Sequence, residues 1–175
     1  INYDVSLGTM GGATRRTVER EALRLPGVSV AEGWASAVGV IEWPDRSESG
    51  EIEIVGLPPN AATIDPLLLA GTWLKLGQPN QIVVNDDLLD EEPGLAVGSE
   101  IALKVGENKR TYQVAGVVSK HLSGPRIYMD YNAFGKLTGR QNQVDVVHVL
   151  ATPEGPGSPA QQDLIAGQLE ERFQN

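Results

Sequence analysis

The period of the apolar positions changes several times along the chain, and each change marks an element. A short strand over residues 3–7 leads through Gly8-Thr9-Met10-Gly11-Gly12 into a helix over about 13–25. Thr14, Val18, Ala22 and Leu25 line one face of that helix, against Arg15, Arg16, Glu19 and Arg24. Pro26-Gly27 stops it. Val28, Val30, Trp34, Val38 and Val40 then share one parity, which predicts a long extended segment bent near Gly33 or Gly39. A polar turn over 44–50 separates it from an alternating strand over 51–57, ended by Pro58-Pro59-Asn60. Leu67, Leu68 and Leu69 fall in a helical turn over 65–73, with Asp65 as cap and Pro66 in the first turn.

Shorter elements follow. Ile82-Val83-Val84 is a β-branched run suited to a strand buried on both faces. Asn85 caps a short helix with Asp86 and Asp87 in its first turn, and Pro93-Gly94 ends it. Ile101, Leu103 and Val105 alternate with Ala102 and Lys104; Gly106-Glu107-Asn108-Lys109 turns the chain, and Tyr112, Val114 and Val117-Val118 return as the hairpin partner. A polar loop over 119–126 precedes a strand over 127–129. Asp130 then caps a helix through Leu137, closed by Gly139. A strand over 144–151, a Gly/Pro-rich loop over 153–159 and a helix over 161–173, with Ile165, Leu169 and Phe173 on one face, complete the chain.

The ends therefore read β-α-β-β and β-α, with a β-rich stretch between them. The expected fold class is α+β in two lobes. Residues 1–57 and 126–175 form a discontinuous α/β lobe on a split β-α-β, porter-like plan; residues 58–125 form the inserted β-rich lobe. The terminal lobe lacks the last strand of that plan. The chain also opens on Ile1 and enters a strand at once, the expectation for a segment of a longer protein.

Composition narrows the function classes. With 175 residues and 41% hydrophobic content the chain can build a real core, and no run reaches the ~18 apolar residues of a membrane helix. A net charge of −9 argues against a nucleic-acid partner or an anionic lipid surface, which need a basic face. No cysteine is present, so disulfides, thiolate metal sites and cysteine catalysis are excluded.

Candidate chemistry is sparse. The glycine-rich stretch from Gly8 lies between strand and helix, but fits neither a dinucleotide fingerprint nor a Walker loop, and reads as a connector. Asp86, Asp87, Asp90, Glu91 and Glu92 lack the alternating spacing and central glycine of a calcium loop; dipole compensation and solvation of a short helix account for them. His148 shares a strand face with Val146 and Leu150 and reads as a core histidine. His121 stands near Ser123 with no nucleophile elbow or third member. No catalytic, cofactor or metal residue is assigned, and the expectation is no enzyme and no cofactor. Trp73 reads as lobe core, and Trp43, beside Pro44 at a strand end, as an interface candidate. The loop Lys120-His121-Leu122-Ser123-Gly124-Pro125-Arg126 joins elements at a lobe boundary and is the second interface candidate.

The central stretch carries a family resemblance. Gly71-Thr72-Trp73-Leu74, Ile82-Val83-Val84-Asn85 leading into an acidic helix, Gly94-Leu95-Ala96-Val97-Gly98-Ser99, a hairpin and Val114-Ala115-Gly116-Val117-Val118 occur in an order that resembles the MacB-like periplasmic core domain. That module is the extracytoplasmic domain of FtsX/MacB-type ABC-transporter permeases. The resemblance covers about residues 51–130, and the flanks by layout. It implies a non-catalytic domain of a membrane-anchored permease, with a strand beyond residue 175 leading back to the membrane. The implied partners are a cytoplasmic ABC ATPase subunit, reached through membrane helices outside this chain, a second permease subunit, and an extracytoplasmic adaptor or substrate protein. The motion of such domains serves export, lipoprotein release or signalling. The competing class is a free-standing α+β small-molecule-binding domain or enzyme, which requires a convergent polar cluster.

Overall fold

The computed structural model describes residues 5–8, 14–120, 124–151 and 159–173. Its elements are β1 (Val5–Gly8), α1 (Arg15–Leu23), β2 (Val30–Glu42), β3 (Ile52–Leu57), β4 (Leu68–Gly71), β5 (Gln81–Asn85), α2 (Asp86–Glu91), β6 (Glu100–Val105), β7 (Asn108–Val118), β8 (Arg126–Asp130), α3 (Tyr131–Thr138), β9 (Val146–Leu150) and α4 (Pro159–Phe173). They divide into two units: Ile1–Ala35 with Ala61–Asp65 and Asn142–Asn175, and Ser36–Asn60 with Pro66–Gln141. The strand β2 contributes its first part to one and its last part to the other.

In the first unit β9 is the central strand. It pairs antiparallel with β1 on one edge and with the start of β2 on the other, so that His148 stands opposite both Ser6 and Glu32. Val18 and Ala22 of α1, and Ile165 and Leu169 of α4, are buried as their spacing requires; the side chain of Phe173 lies outside the described residues. Glu19 ties α1 to β2, accepting from Arg15 Nε at 2.8 Å and from the Gly33 backbone N–H at 2.9 Å. Gly33 is required by close approach: a Cβ there would lie 2.6 Å from Val144 Cγ1. Trp34 meets the His148 ring edge-on at 4.2 Å between centroids. Glu32, also buried, accepts from the Ala62 N–H at 2.5 Å and from Thr63 Oγ1 at 3.1 Å, which anchors the short excursion 61–65.

The second unit is a closed barrel. Hydrogen bonding runs β2-β3-β8-β5-β7-β6 and returns from β6 to β2. The β3/β8 and β5/β7 pairs are parallel, and β8/β5, β7/β6 and β6/β2 are antiparallel. Ile41, Ile52, Ile54, Ile82, Val84, Leu103, Ile127 and Met129 are fully buried, and each such branched or long side chain contributes ~1.5–3 kcal/mol of transfer free energy. Asn85 caps α2 by accepting from Leu88 N, and Asp130 caps α3 by accepting from Asn132 N and Ala133 N. Gly139 closes α3 in the left-handed conformation at φ 71°.

Two expectations are corrected. The Leu-rich turn over 65–73 is not helical: β4 is an extended edge strand, paired with β7 through Leu68↔Val118, Ala70↔Val117 and Gly71↔Gly116. The cause is non-local. β6 covers β7 only as far as Gln113, so the last residues of β7 offer a free hydrogen-bonding edge that β4 takes. The expected boundary at residues 57 and 126 also fails. β3, β8 and α3 belong with the barrel, because β8 is hydrogen-bonded on both edges, to β3 and to β5. Phe134 of α3 fills the space over Gly56, where a Cβ would come within 2.5 Å of its ring.

Candidate partner interface

The registers place both interface candidates at one end of the barrel. β3 starts where β8 starts, with Glu53 opposite Arg126; β5 ends there, with Val84 opposite Ile127; β7 ends beside it, with Val118 opposite Asn85. The turn after β2 and the loop before β8 therefore share this end.

The Trp43 turn is built by local chemistry. Arg46 N donates to the Trp43 carbonyl at 2.8 Å around Pro44 and Asp45, and Trp43 N donates to the Ser47 carbonyl at 2.8 Å. Asp45 accepts from Ser47 N and Oγ, which hold its carboxyl below the usual carboxylate range, the hydroxyl contributing most. Arg46 takes φ 68° to complete the reversal. Trp43 is half-buried and Pro44 exposed. Together with Glu42, Arg46, Lys109 and Thr111 they line a cleft of about 400 Å³. Within it Lys109 Nζ lies 2.8 Å from Glu42 Oε1, a hydrogen bond that lowers the Glu42 pKa.

The second candidate is held at both ends by the start of α2. Lys120 donates its backbone N–H to Asp86 at 2.9 Å and its Nζ to Asp87 at 2.9 Å. Gly124 N donates to the other Asp87 oxygen at 2.7 Å. Asn85, buried, donates to the Gly124 carbonyl at 2.9 Å and accepts from Arg126 N at 3.0 Å besides capping α2. The Arg126 guanidinium pairs with Glu53 at 2.5 Å, and the Pro125 carbonyl accepts from Glu53 N. Lys120 and Arg126 are thus fastenings of the loop; Gly124 and Pro125 are half-buried, and His121, Leu122 and Ser123 lie outside the described residues. Sequence reasoning assigned Asp86 and Asp87 to the helix dipole. Their partners lie about thirty-five residues downstream, and no local signal links them.

Elsewhere, Trp73 is half-buried, donates its indole N–H to the Pro59 carbonyl at 3.2 Å and tilts onto Tyr128 at 5.4 Å. His148 is buried, and desolvation pulls its pKa down to about 4.

A barrel with two internally fastened loops at one end is a scaffold for holding contact surfaces in fixed relation. Comparison with known proteins places it. Residues 2–166 match the family model of the MacB-like periplasmic core domain, and the chain belongs to that family, the extracytoplasmic module of MacB- and FtsX-type ABC-transporter permeases. Among solved structures it is similar to the periplasmic region of MacB from Actinobacillus actinomycetemcomitans, with a TM-score of 0.70 at 11% identity over 97% of this chain and 84% of the other. It is also similar to the extracellular domain of the noncanonic ABC-type transporter YknZ from Gram-positive bacteria, with a TM-score of 0.65 at 14% identity over 93% of this chain and 84% of the other. No curated protein sequence matches significantly. Among the described residues no helix is long and apolar enough to cross a membrane.

Proposed function

We propose that this domain is a non-catalytic coupling element on the outer side of a membrane. It passes ATPase-driven motion of a permease to export, lipoprotein release or signalling. In this reading membrane helices outside the chain connect it to a cytoplasmic ABC ATPase subunit and a second permease subunit. The barrel end with Trp43, Pro44 and the 120–126 loop faces an adaptor or substrate protein. One observation carries the reading: in a member of this family, the two candidate segments share one barrel end, the Trp43 turn fastened by Asp45, Arg46 and Ser47 and the two ends of the 120–126 loop by Asn85, Asp86, Asp87 and Glu53. Such fastening suits transmission of a displacement, because a loop that yields would absorb it.

The test is made in the intact transporter. Trp43→Ala and Leu122→Asp are expected to impair transport while changing the folding stability of the domain by less than about 1 kcal/mol. Normal transport in both variants, or unfolding of the domain by both, would remove this end as the interface.

A further inference from the structure

Adjoining the Trp43 cleft through Lys109 and Thr111, the start of β7 faces the residues before β5 and the helix α3 across a second cleft of about 480 Å³. Its wall includes Lys109, Arg110, Lys136, Asn80 and Tyr112, and no carboxylate. That is a local reversal of sign in a chain of net charge −9. Lys109 is paired with Glu42, whereas among the described residues no carboxylate pairs with Arg110 or Lys136. Tyr112 adds a second, independent feature. It is 5% exposed, and its buried hydroxyl has no hydrogen-bond partner. A buried hydroxyl left unsatisfied costs on the order of 1–3 kcal/mol, so it invites an explanation. Arg110 shares the strand face of Tyr112, two residues away, and its charge is felt at that phenol.

We propose that this cleft binds a phosphate group, with Arg110 and Lys136 supplying charge and the Tyr112 hydroxyl a donor. The donor set fits that chemistry. A guanidinium offers a planar fork to two oxygens of a tetrahedral anion, an ammonium offers a point charge, and a phenol kept protonated donates a further hydrogen bond. Burial raises the pKa of Tyr112, which keeps it a donor across the physiological range. Compact volume and concentrated charge favour one multiply charged group over an extended acidic peptide. The phosphate could belong to a soluble phosphomonoester or to a lipid headgroup, and the two sources differ in their test.

The 175-residue domain is titrated with inorganic phosphate at constant ionic strength and followed by amide chemical shifts, then by co-sedimentation with vesicles containing phosphatidic acid, whose headgroup is a phosphomonoester. Saturable shifts at Arg110, Tyr112 and Lys136 are expected, weakened at least tenfold by Arg110→Gln with Lys136→Gln and left unchanged by Lys75→Gln, which lies outside the cleft. Tyr112→Phe is expected to weaken binding about threefold without lowering Tm, since it removes only an unsatisfied hydroxyl. Binding to free phosphate alone identifies a soluble ligand. Vesicle binding lost in the double variant identifies a headgroup. Absence of saturation in both arms, equal affinity in the double variant and Lys75→Gln, or tighter binding of triaspartate than of phosphate would overturn the proposal. Unchanged binding in Tyr112→Phe would overturn the part assigned to the hydroxyl.

Discussion

His148 shows what a single residue does to this molecule. It stands between β1 and β2 on the central strand of its unit, against the Trp34 ring, with a pKa pulled from 6.5 to about 4 by desolvation. Above pH 6.5 it is neutral folded and unfolded, and stability does not depend on it. Below 6.5 the unfolded chain takes up a proton that the folded chain refuses, so stability falls as pH falls, by about 3 kcal/mol at pH 4. Glu42, Asp45 and Asp87 also have lowered pKa values, the side-chain hydrogen bonds from Lys109, Ser47 and Lys120 coming first. Their contributions are present above their unfolded values of 4.5 and 3.8 and are lost only below them. Among the described residues, the slope between pH 6.5 and 4.5 therefore belongs to His148. Urea midpoints measured across that window are expected to fall in the parent and to stay nearly level in His148→Gln. An equal slope in both would assign it elsewhere.

Elements were legible where their determinants are local and illegible where they are not. Asn85 and Asp130 announce their helices by capping chemistry that acts within three residues, and the Ile101–Val105 alternation carries its own hairpin partner. β4 has no such signal. Its three leucines suggested a helical turn, yet the segment is extended and Leu67, Leu68 and Leu69 are all exposed. What makes it a strand is the free edge of β7 some forty-five residues away, together with Gly116, where a Cβ would collide with the Thr72 carbonyl. Gly116→Ala is accordingly expected to cost about 2 kcal/mol or more and to detach β4 first. Amide exchange at Leu68–Gly71 should accelerate well before that of β5, which pairs on the other edge. Uniform acceleration across the barrel would mean that β4 is not an independently opening edge.

At the scale of the whole chain, the order of elements was readable and the partition was not. Whether β3 and β8 join the terminal unit or the barrel depends on a parallel pairing between segments more than seventy residues apart, and each strand's pattern is equally content in either sheet. The same limit hid the candidate site: Trp43 could be singled out, but its sharing of a barrel end with Arg126 follows only from the closed ring. Self-association is a further whole-molecule property and can be decided by magnitude. The exposed leucines beginning at Leu67, with Val97 beside Gly71, favour association, and a net charge of −9 opposes it weakly, since salt screens charges beyond about 8 Å. A stable dimer buries ~1,200–2,000 Å² in total, about 800 Å² on each partner, whereas a few side chains around a four-residue edge strand offer only a few hundred. The isolated domain is therefore expected to sediment as a monomer at micromolar concentration, and Leu68→Lys to leave its sedimentation unchanged. A micromolar dimer dissolved by Leu68→Lys would show that β4 pairs between copies and that the area estimate misses the backbone hydrogen bonds an open edge supplies.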